Sequence, residues 1–182
     1  MKLYKMGVSG LVMAVGLTFV GCSSTTSKSP DVSDSIRKSL DQSNFKDVSV
    51  SQDRDKGIVT LRGHVAADGD KAQAESIARS IAGGQVVSDE IAVLPPGVER
   101  EAKDVNSDLD EAIDKNLDAA FIQNGWKDGI KHSVKNGVVT LDGNVGSQSS
   151  RAQAQNIAAG VPNVRQVVNE LQVKDQKATS SN

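Results

Sequence analysis

The sequence is poor in aromatic residues and in cysteine, and it carries no excess of positive charge. Only 3% of its 182 residues are Phe, Trp or Tyr, so the core must be built from aliphatic residues, and a large enzyme cleft is not expected. The 21 Lys and Arg are outnumbered by 23 Asp and Glu, which argues against nonspecific nucleic-acid binding. The single cysteine, Cys22, has no partner for an internal disulfide.

Catalytic and metal-binding motifs are also lacking. The sequence contains no nucleophile elbow, phosphate-binding loop or metalloprotease helix motif. Its two histidines, His64 and His132, have no ligand-type spacing to Cys, Asp or Glu, so we interpret each as a core-edge or surface residue. We therefore expect no enzymatic activity, no cofactor and no metal site.

Residues 1–21 have the layout of a lipoprotein signal peptide. Two lysines precede an apolar run over residues 8–20, which is shorter than the roughly 20 residues of a membrane-spanning helix. The run ends in Phe19-Val20-Gly21-Cys22, which resembles a bacterial lipobox except that Phe19 replaces the usual aliphatic residue. The resemblance implies cleavage before Cys22 and acylation of this residue as the lipid attachment site.

Two other interpretations of this segment remain open: an ordinary cleaved leader in which Cys22 is incidental, or an uncleaved N-terminal anchor. All three export the chain. Ser23 directly after the cysteine resembles lipoproteins sent to the outer membrane, which predicts a lipid-anchored protein facing the periplasm. We expect residues 22–30, rich in Ser and Thr, to form a flexible tether, and residues 175–182 to form a disordered tail.

An internal repeat is the strongest pattern in the chain. The segment Gly57–Val65 recurs as Gly137–Val145, 80 positions later. The same offset relates the apolar positions of residues 71–78 to those of 151–158. A match of this length predicts two copies of one structural unit.

Each copy shows the pattern helix, strand, strand, helix, strand. Apolar residues four positions apart mark the first helix of each copy: Val32, Ile36 and Leu40, then Val105, Leu109, Ile113, Leu117 and Phe121. We predict an α+β fold in which each unit is a small mixed three-stranded sheet with two helices on one face. The predicted units span 31–94 and 104–174, joined by a linker over 95–103 that contains two prolines.

The repeated unit, with its Gly-x-Val-Thr-Leu-x-Gly-x-Val strand and Ala-rich second helix, resembles the BON domain. The final strand of the second copy also fits through Asn169 and Leu171, whereas the first copy has Asp89 in place of the Asn. Together with the lipobox, this is the layout of tandem BON lipoproteins of the bacterial envelope. The resemblance implies a non-enzymatic role in envelope integrity or osmotic stress, with phospholipid and envelope proteins as partners.

The acidic first helix of the second copy fits phospholipid binding poorly, whereas a group of one aromatic and three basic residues supplies candidates for it. The resemblance places lipid binding on the first helix of the second copy, yet that helix carries six acidic residues between Asp104 and Asp118. The one combination of an aromatic and basic residues is Trp126 with Lys127, Lys131 and Lys135, our candidates for phospholipid binding. The alternative is that Trp126 covers the core and the lysines form an ordinary solvated face.

Two glycines, Gly63 and Gly143, end the repeated strand in each copy. We interpret both as requirements of the fold, at a strand end where a side chain is excluded. The sequence thus predicts a lipid-anchored envelope protein that binds phospholipid headgroups. The alternative is an adaptor or stress-protective protein that binds other proteins and touches the membrane only through Cys22.

Overall fold

The computed structural model describes residues 28–126 and 130–173, which form two modules with the same order of elements. Module 1 consists of α1 (Ser33–Gln42), β1 (Val48–Asp53), β2 (Ile58–Val65), α2 (Asp68–Ile81) and β3 (Val86–Val93). Module 2 consists of α3 (Glu99–Gln123), β4 (Ile130–Lys135), β5 (Val138–Val145), α4 (Gln148–Ala159), β6 (Gln166–Asn169) and β7 (Gln172–Val173). The predicted α+β class is confirmed. Cys22, Lys127 and the tail 175–182 lie outside the described residues.

Both sheets are mixed, with the first β-hairpin antiparallel and the crossover strand parallel. In module 1 the order is β1-β2-β3, with β2 in the centre. Module 2 has the order β4-β5-β6, and the short β7 continues the line of β6 by pairing with the far end of β5. The last strand of module 2 is therefore interrupted, whereas its counterpart β3 is continuous.

The core of each module lies between the sheet and its two helices. Apolar residues at alternate positions in the central strand are fully buried there, as Val59 and Leu61 are in β2. The second helix of each module packs through pairs of alanines with no exposed surface, for example Ala74 and Ala78 in α2. Because alanine has a small side chain, the helix comes close to the sheet, and the core needs few aromatic residues.

Gly63 and Gly143 both adopt positive φ angles, of 122° and 129°. A Cβ atom on Gly63 would lie 1.9 Å from the carbonyl oxygen of Asp47, which is far inside van der Waals contact. A side chain at this point would push β1 away from β2. Gly63 is therefore needed where the two strands meet.

The hairpins of the two modules differ in length. Residues 54–57 connect β1 to β2, whereas only Asn136 and Gly137 connect β4 to β5. These two residues have φ angles of 48° and 78°, as a type I′ turn requires. Val48 pairs with Gly63, and Ile130 pairs with Gly143. The first strands, β1 and β4, therefore correspond at an offset of 82 residues, whereas β2 and β5 correspond at an offset of 80.

Helix α3 is longer than its counterpart α1, with 25 residues against 10. It begins at Glu99, inside the segment 95–103 predicted as a linker. Gly97, with a φ of 88°, precedes the helix, and its backbone N–H donates to the carboxylate of Glu99 at 2.9 Å. Among the described residues, no helix has both the length and the apolarity to cross a membrane.

The two modules are docked against each other. A small buried cluster of Ile58, Val138 and Val168 joins the two sheets. The side chain of Gln166 donates to the carbonyl oxygen of Val87 at 2.7 Å and accepts from the backbone N–H of Asp89 at 3.1 Å. Module 2 thus supplies hydrogen bonds to the otherwise free edge of β3, which an isolated module 1 would expose to water.

Candidate functional site

Trp126 closes the core of module 2 and is partly buried there. Its backbone N–H donates to the carbonyl oxygen of Phe121 at 2.9 Å. In module 1, Phe45 makes the same bond to Leu40, also at 2.9 Å, and packs on that core. An aromatic residue at this position is thus common to both modules, and packing accounts for it.

The two lysines of β4 lie in a different environment from Trp126. Lys131 and Lys135 are exposed and alternate with Ile130, His132 and Val134, which are less exposed and point towards the helices. Their side chains therefore lie on the side of β4 opposite α3. With Lys127 outside the described residues, this pair forms the basic face of module 2.

Module 1 has no counterpart of this basic face. With the strands aligned by their pairing to the glycines, Lys131 corresponds to Ser49 and Lys135 corresponds to Asp53. On the neighbouring strand, Asp142 pairs with Lys131, so its carboxylate offsets part of that charge. The two modules share a fold but present surfaces of different charge at this strand.

Several acidic residues of α3 are engaged with other groups in the module. The carboxylate of Asp110 accepts hydrogen bonds from the backbone N–H groups of Asn136 and Gly137, at 2.7 and 2.8 Å, and so holds the hairpin turn. The hydrogen bond between Glu111 and Lys115 lowers the pKa of Glu111 and raises that of Lys115. Asp110 therefore has a structural role in the fold.

Asp114, Asp118 and His132 form a third group on the opposite side of β4 from the lysines. The Nε2 atom of His132 lies 3.1 Å from a carboxylate oxygen of Asp114 and 3.7 Å from one of Asp118. The imidazole is 11% exposed, and its centroid lies 6.0 Å from that of Phe121. No motif spacing indicates this group, because its members come from a helix and a strand that meet only in the folded module.

A buried polar pair lies beneath the last strand of module 1. Lys71 donates to the carbonyl oxygen of Ile91 at 2.7 Å, and its Nζ lies 3.9 Å from a carboxylate oxygen of Asp89. Burial raises the pKa of Asp89 and lowers the pKa of Lys71, although the opposite charge of each partner acts against the shift. Arg151 and Asn169 occupy the same positions in module 2.

A groove of about 640 Å³ runs between β2–β3 of module 1 and α3 of module 2. Its lining includes cationic and anionic side chains close together: Arg62, Lys103, Lys135, Glu90, Asp110, Glu111 and Asp114. Arg62 is already paired with Glu90 at 2.8 Å. A groove lined by both signs of charge has no evident preference for an anionic or a cationic ligand.

The protein consists of two docked copies of one small α+β module, and the two copies differ in surface charge. It therefore belongs to the class of tandem-module proteins. The model of the BON domain matches residues 29–95 and 109–175, so the chain belongs to the BON-domain family. The family predicted from the repeat is thereby confirmed. Residues 99–108 of α3 lie between the two matched segments.

The chain is similar to the osmotically-inducible protein Y of Escherichia coli K12. The two are 29% identical over 140 residues, which cover 74% of this chain and 67% of that protein. Among solved structures, the C-terminal domain of CdsD, a structural protein of the type III secretion system of Chlamydia trachomatis, is 15% identical with a TM-score of 0.35. The match covers 80% of this chain and 98% of that domain.

Proposed function

We propose that this protein is a non-enzymatic binding protein of the bacterial envelope that acts under osmotic stress. Membership of the BON-domain family and similarity to an osmotically-inducible protein support this role. The lipobox-like segment 19–22 adds the finer proposal that acylated Cys22 anchors the protein to the outer membrane, facing the periplasm.

Within this role, the protein binds anionic phospholipid headgroups through the basic face formed by Lys131 and Lys135. The observation that carries the proposal is that both side chains are exposed on one side of β4, whereas Asp114 and Asp118 meet His132 on the other. Lys131 therefore points away from the acidic helix, whereas Lys135 also borders the groove that α3 lines. Each basic residue near an anionic surface contributes about 1 kcal/mol, so the two lysines give weak, salt-sensitive binding that flotation detects at high lipid concentration even without the lipid anchor.

A second function, binding of other envelope proteins, is favoured by the first half of α3. This segment exposes apolar side chains next to acidic ones: Val105 is 57% exposed and Leu109 is 38% exposed, and Asp104 and Asp108 are exposed beside them. Such a mixed surface fits a protein partner better than an anionic membrane. In this version the membrane contact comes from Cys22 alone.

Flotation with liposomes distinguishes the two functions. The full-length chain carrying Cys22→Ser would be mixed with neutral or anionic vesicles at low and high salt. We expect salt-sensitive flotation with anionic vesicles only, and its loss in the double variant Lys131→Gln/Lys135→Gln. The matched control is Lys38→Gln/Lys46→Gln, which removes the same charge from module 1.

Two results would reject the phospholipid proposal. Absence of flotation by the Cys22→Ser chain would leave the protein-binding function, and equal loss of flotation in both lysine variants would show that net charge alone matters. The anchor has its own test, because acylation requires the thiol. Cys22→Ser should abolish acyl labelling in cells and move the protein from the membrane fraction to the soluble fraction.

A further inference from the structure

The group formed by Asp114, Asp118 and His132 has the composition of a metal site. We propose that it binds one divalent transition-metal ion of the Zn²⁺ type, at the junction of α3 and β4 in module 2. The three side chains offer one imidazole nitrogen and two carboxylate oxygens, and these three atoms all lie within 4.8 Å of one another. Imidazole with carboxylates suits Zn²⁺ and its neighbours, whereas Mg²⁺ and Ca²⁺ prefer an all-oxygen set.

The spacing of the donor atoms fits a bound ion of this type. Bonds of about 2.0–2.2 Å in a tetrahedral site place two donor atoms about 3.4 Å apart. The Nε2 atom of His132 lies 3.1 Å from the nearer oxygen of Asp114 and 3.7 Å from that of Asp118, on either side of this value. Both carboxylates are exposed enough to rotate towards a shared ion.

The three ligands are held in different ways. The imidazole of His132 is only 11% exposed and lies against Phe121, so its orientation is restricted by packing. Asp114 and Asp118 are one helical turn apart on α3, with side chains 51% and 66% exposed. This arrangement leaves an open path from solvent, and one or more positions on the ion would be filled by water.

The repeat provides an internal comparison, because module 1 lacks the site. Aligned by the ends of the first helices, Asp114 and Asp118 correspond to Ser33 and Arg37. Aligned by strand pairing, His132 corresponds to Val50, whose carbonyl oxygen accepts a hydrogen bond from Arg37 at 3.2 Å. A cationic side chain therefore occupies in module 1 the region where we place the ion in module 2.

Calorimetric titration of Zn²⁺ into the full-length Cys22→Ser chain tests the proposal, with the thiol removed so that it cannot compete for the ion. We expect one ion per chain. His132→Gln should weaken binding about ten-fold or more, since even the loss of a residue that only orients a ligand costs about 10–100-fold. Asp118→Asn should also weaken binding, and because this side chain is largely exposed, the variant should fold even if His132→Gln does not.

Matched controls come from the same molecule. His64→Gln removes the other histidine, and Asp108→Asn removes one carboxylate from the same helix outside the site; both should bind Zn²⁺ within two-fold of the parent chain. Replacement of Zn²⁺ by Co²⁺ should give a visible absorption band that is lost in Asp118→Asn. The proposal is overturned by the absence of saturable binding, by unchanged binding in both site variants, or by an equal effect of Asp108→Asn.

Discussion

Asp89→Asn should leave the protein at least as stable at neutral pH, although it removes one partner of a buried ion pair. The two side chains are 12% exposed for Lys71 and 7% for Asp89. At their separation of 3.9 Å, the attraction is about 4 kcal/mol at an effective dielectric constant of about 20. Burial nevertheless raises the pKa of Asp89, which means that the desolvation cost of the carboxylate exceeds this attraction.

The sign of the pH effect follows from that shift. A group whose pKa is raised in the folded state stabilises the fold below its unfolded value, here 3.8, and this contribution is lost as the pH rises through the folded value. Asn in this position imitates the neutral acid at every pH. Asp89→Asn should therefore increase the free energy of unfolding at pH 7 and leave it unchanged below pH 3.8.

Module 2 already contains the neutral version of this arrangement. The side-chain oxygen of Asn169 accepts from the N–H of Leu171 at 3.2 Å, as that of Asp89 accepts from Ile91 at 3.1 Å. The substituted Asn can therefore keep the local hydrogen bond. Lys71→Met should have the opposite effect, because Met cannot replace the hydrogen bond from Lys71 to the carbonyl oxygen of Ile91 and leaves a buried carboxylate without its nearest cation; the cost is about 3 kcal/mol at neutral pH.

Urea unfolding at pH 3.5 and pH 7 measures these differences. Far-ultraviolet circular dichroism follows both modules, and the fluorescence of Trp126 reports module 2, so a change confined to module 1 is recognisable. Asp41→Asn on the exposed surface of α1 is the charge-matched control. The reasoning is refuted if Asp89→Asn loses more than about 1 kcal/mol at pH 7 while the control is unchanged, or if its effect is the same at both pH values.

Three further substitutions test other parts of the fold. Gly63→Ala should lower the free energy of unfolding by about 3 kcal/mol or more, because its Cβ would meet the backbone of Asp47 and its φ is positive; urea unfolding that matches the parent would contradict this. Ser147→Ala removes the side-chain cap that accepts from the N–H of Ser150 at 3.0 Å, and should cost about 1 kcal/mol by the same assay, with an exposed Ser→Ala change in the chain as control. Gln166→Ala should speed hydrogen exchange at the N–H of Asp89 without exposing the cores, and an unchanged exchange rate would show that the edge of β3 stays covered without this side chain.

Much of the fold could be predicted from local patterns. The repeat, the order of elements, the mixed sheets and the family all follow from hydrophobic spacing and from Gly63 and Gly143, because periodicity and backbone constraints act over short stretches of chain. Helix α3 begins at Glu99, earlier than the apolar spacing predicts. No residue between Glu99 and Gln123 breaks a helix, and acidic residues in the first turn favour its beginning there.

The architecture of each module is encoded locally, because burial of apolar stripes and the turn chemistry leave few alternatives. Which polar groups meet depends instead on how the elements pack. His132 joins Asp114 and Asp118, and Gln166 completes the edge of β3, because a strand and a distant helix or module come together there. Such contacts depend on the register of strands and on the docking of one module against the other, and the spacing of residues along a single chain carries no record of them.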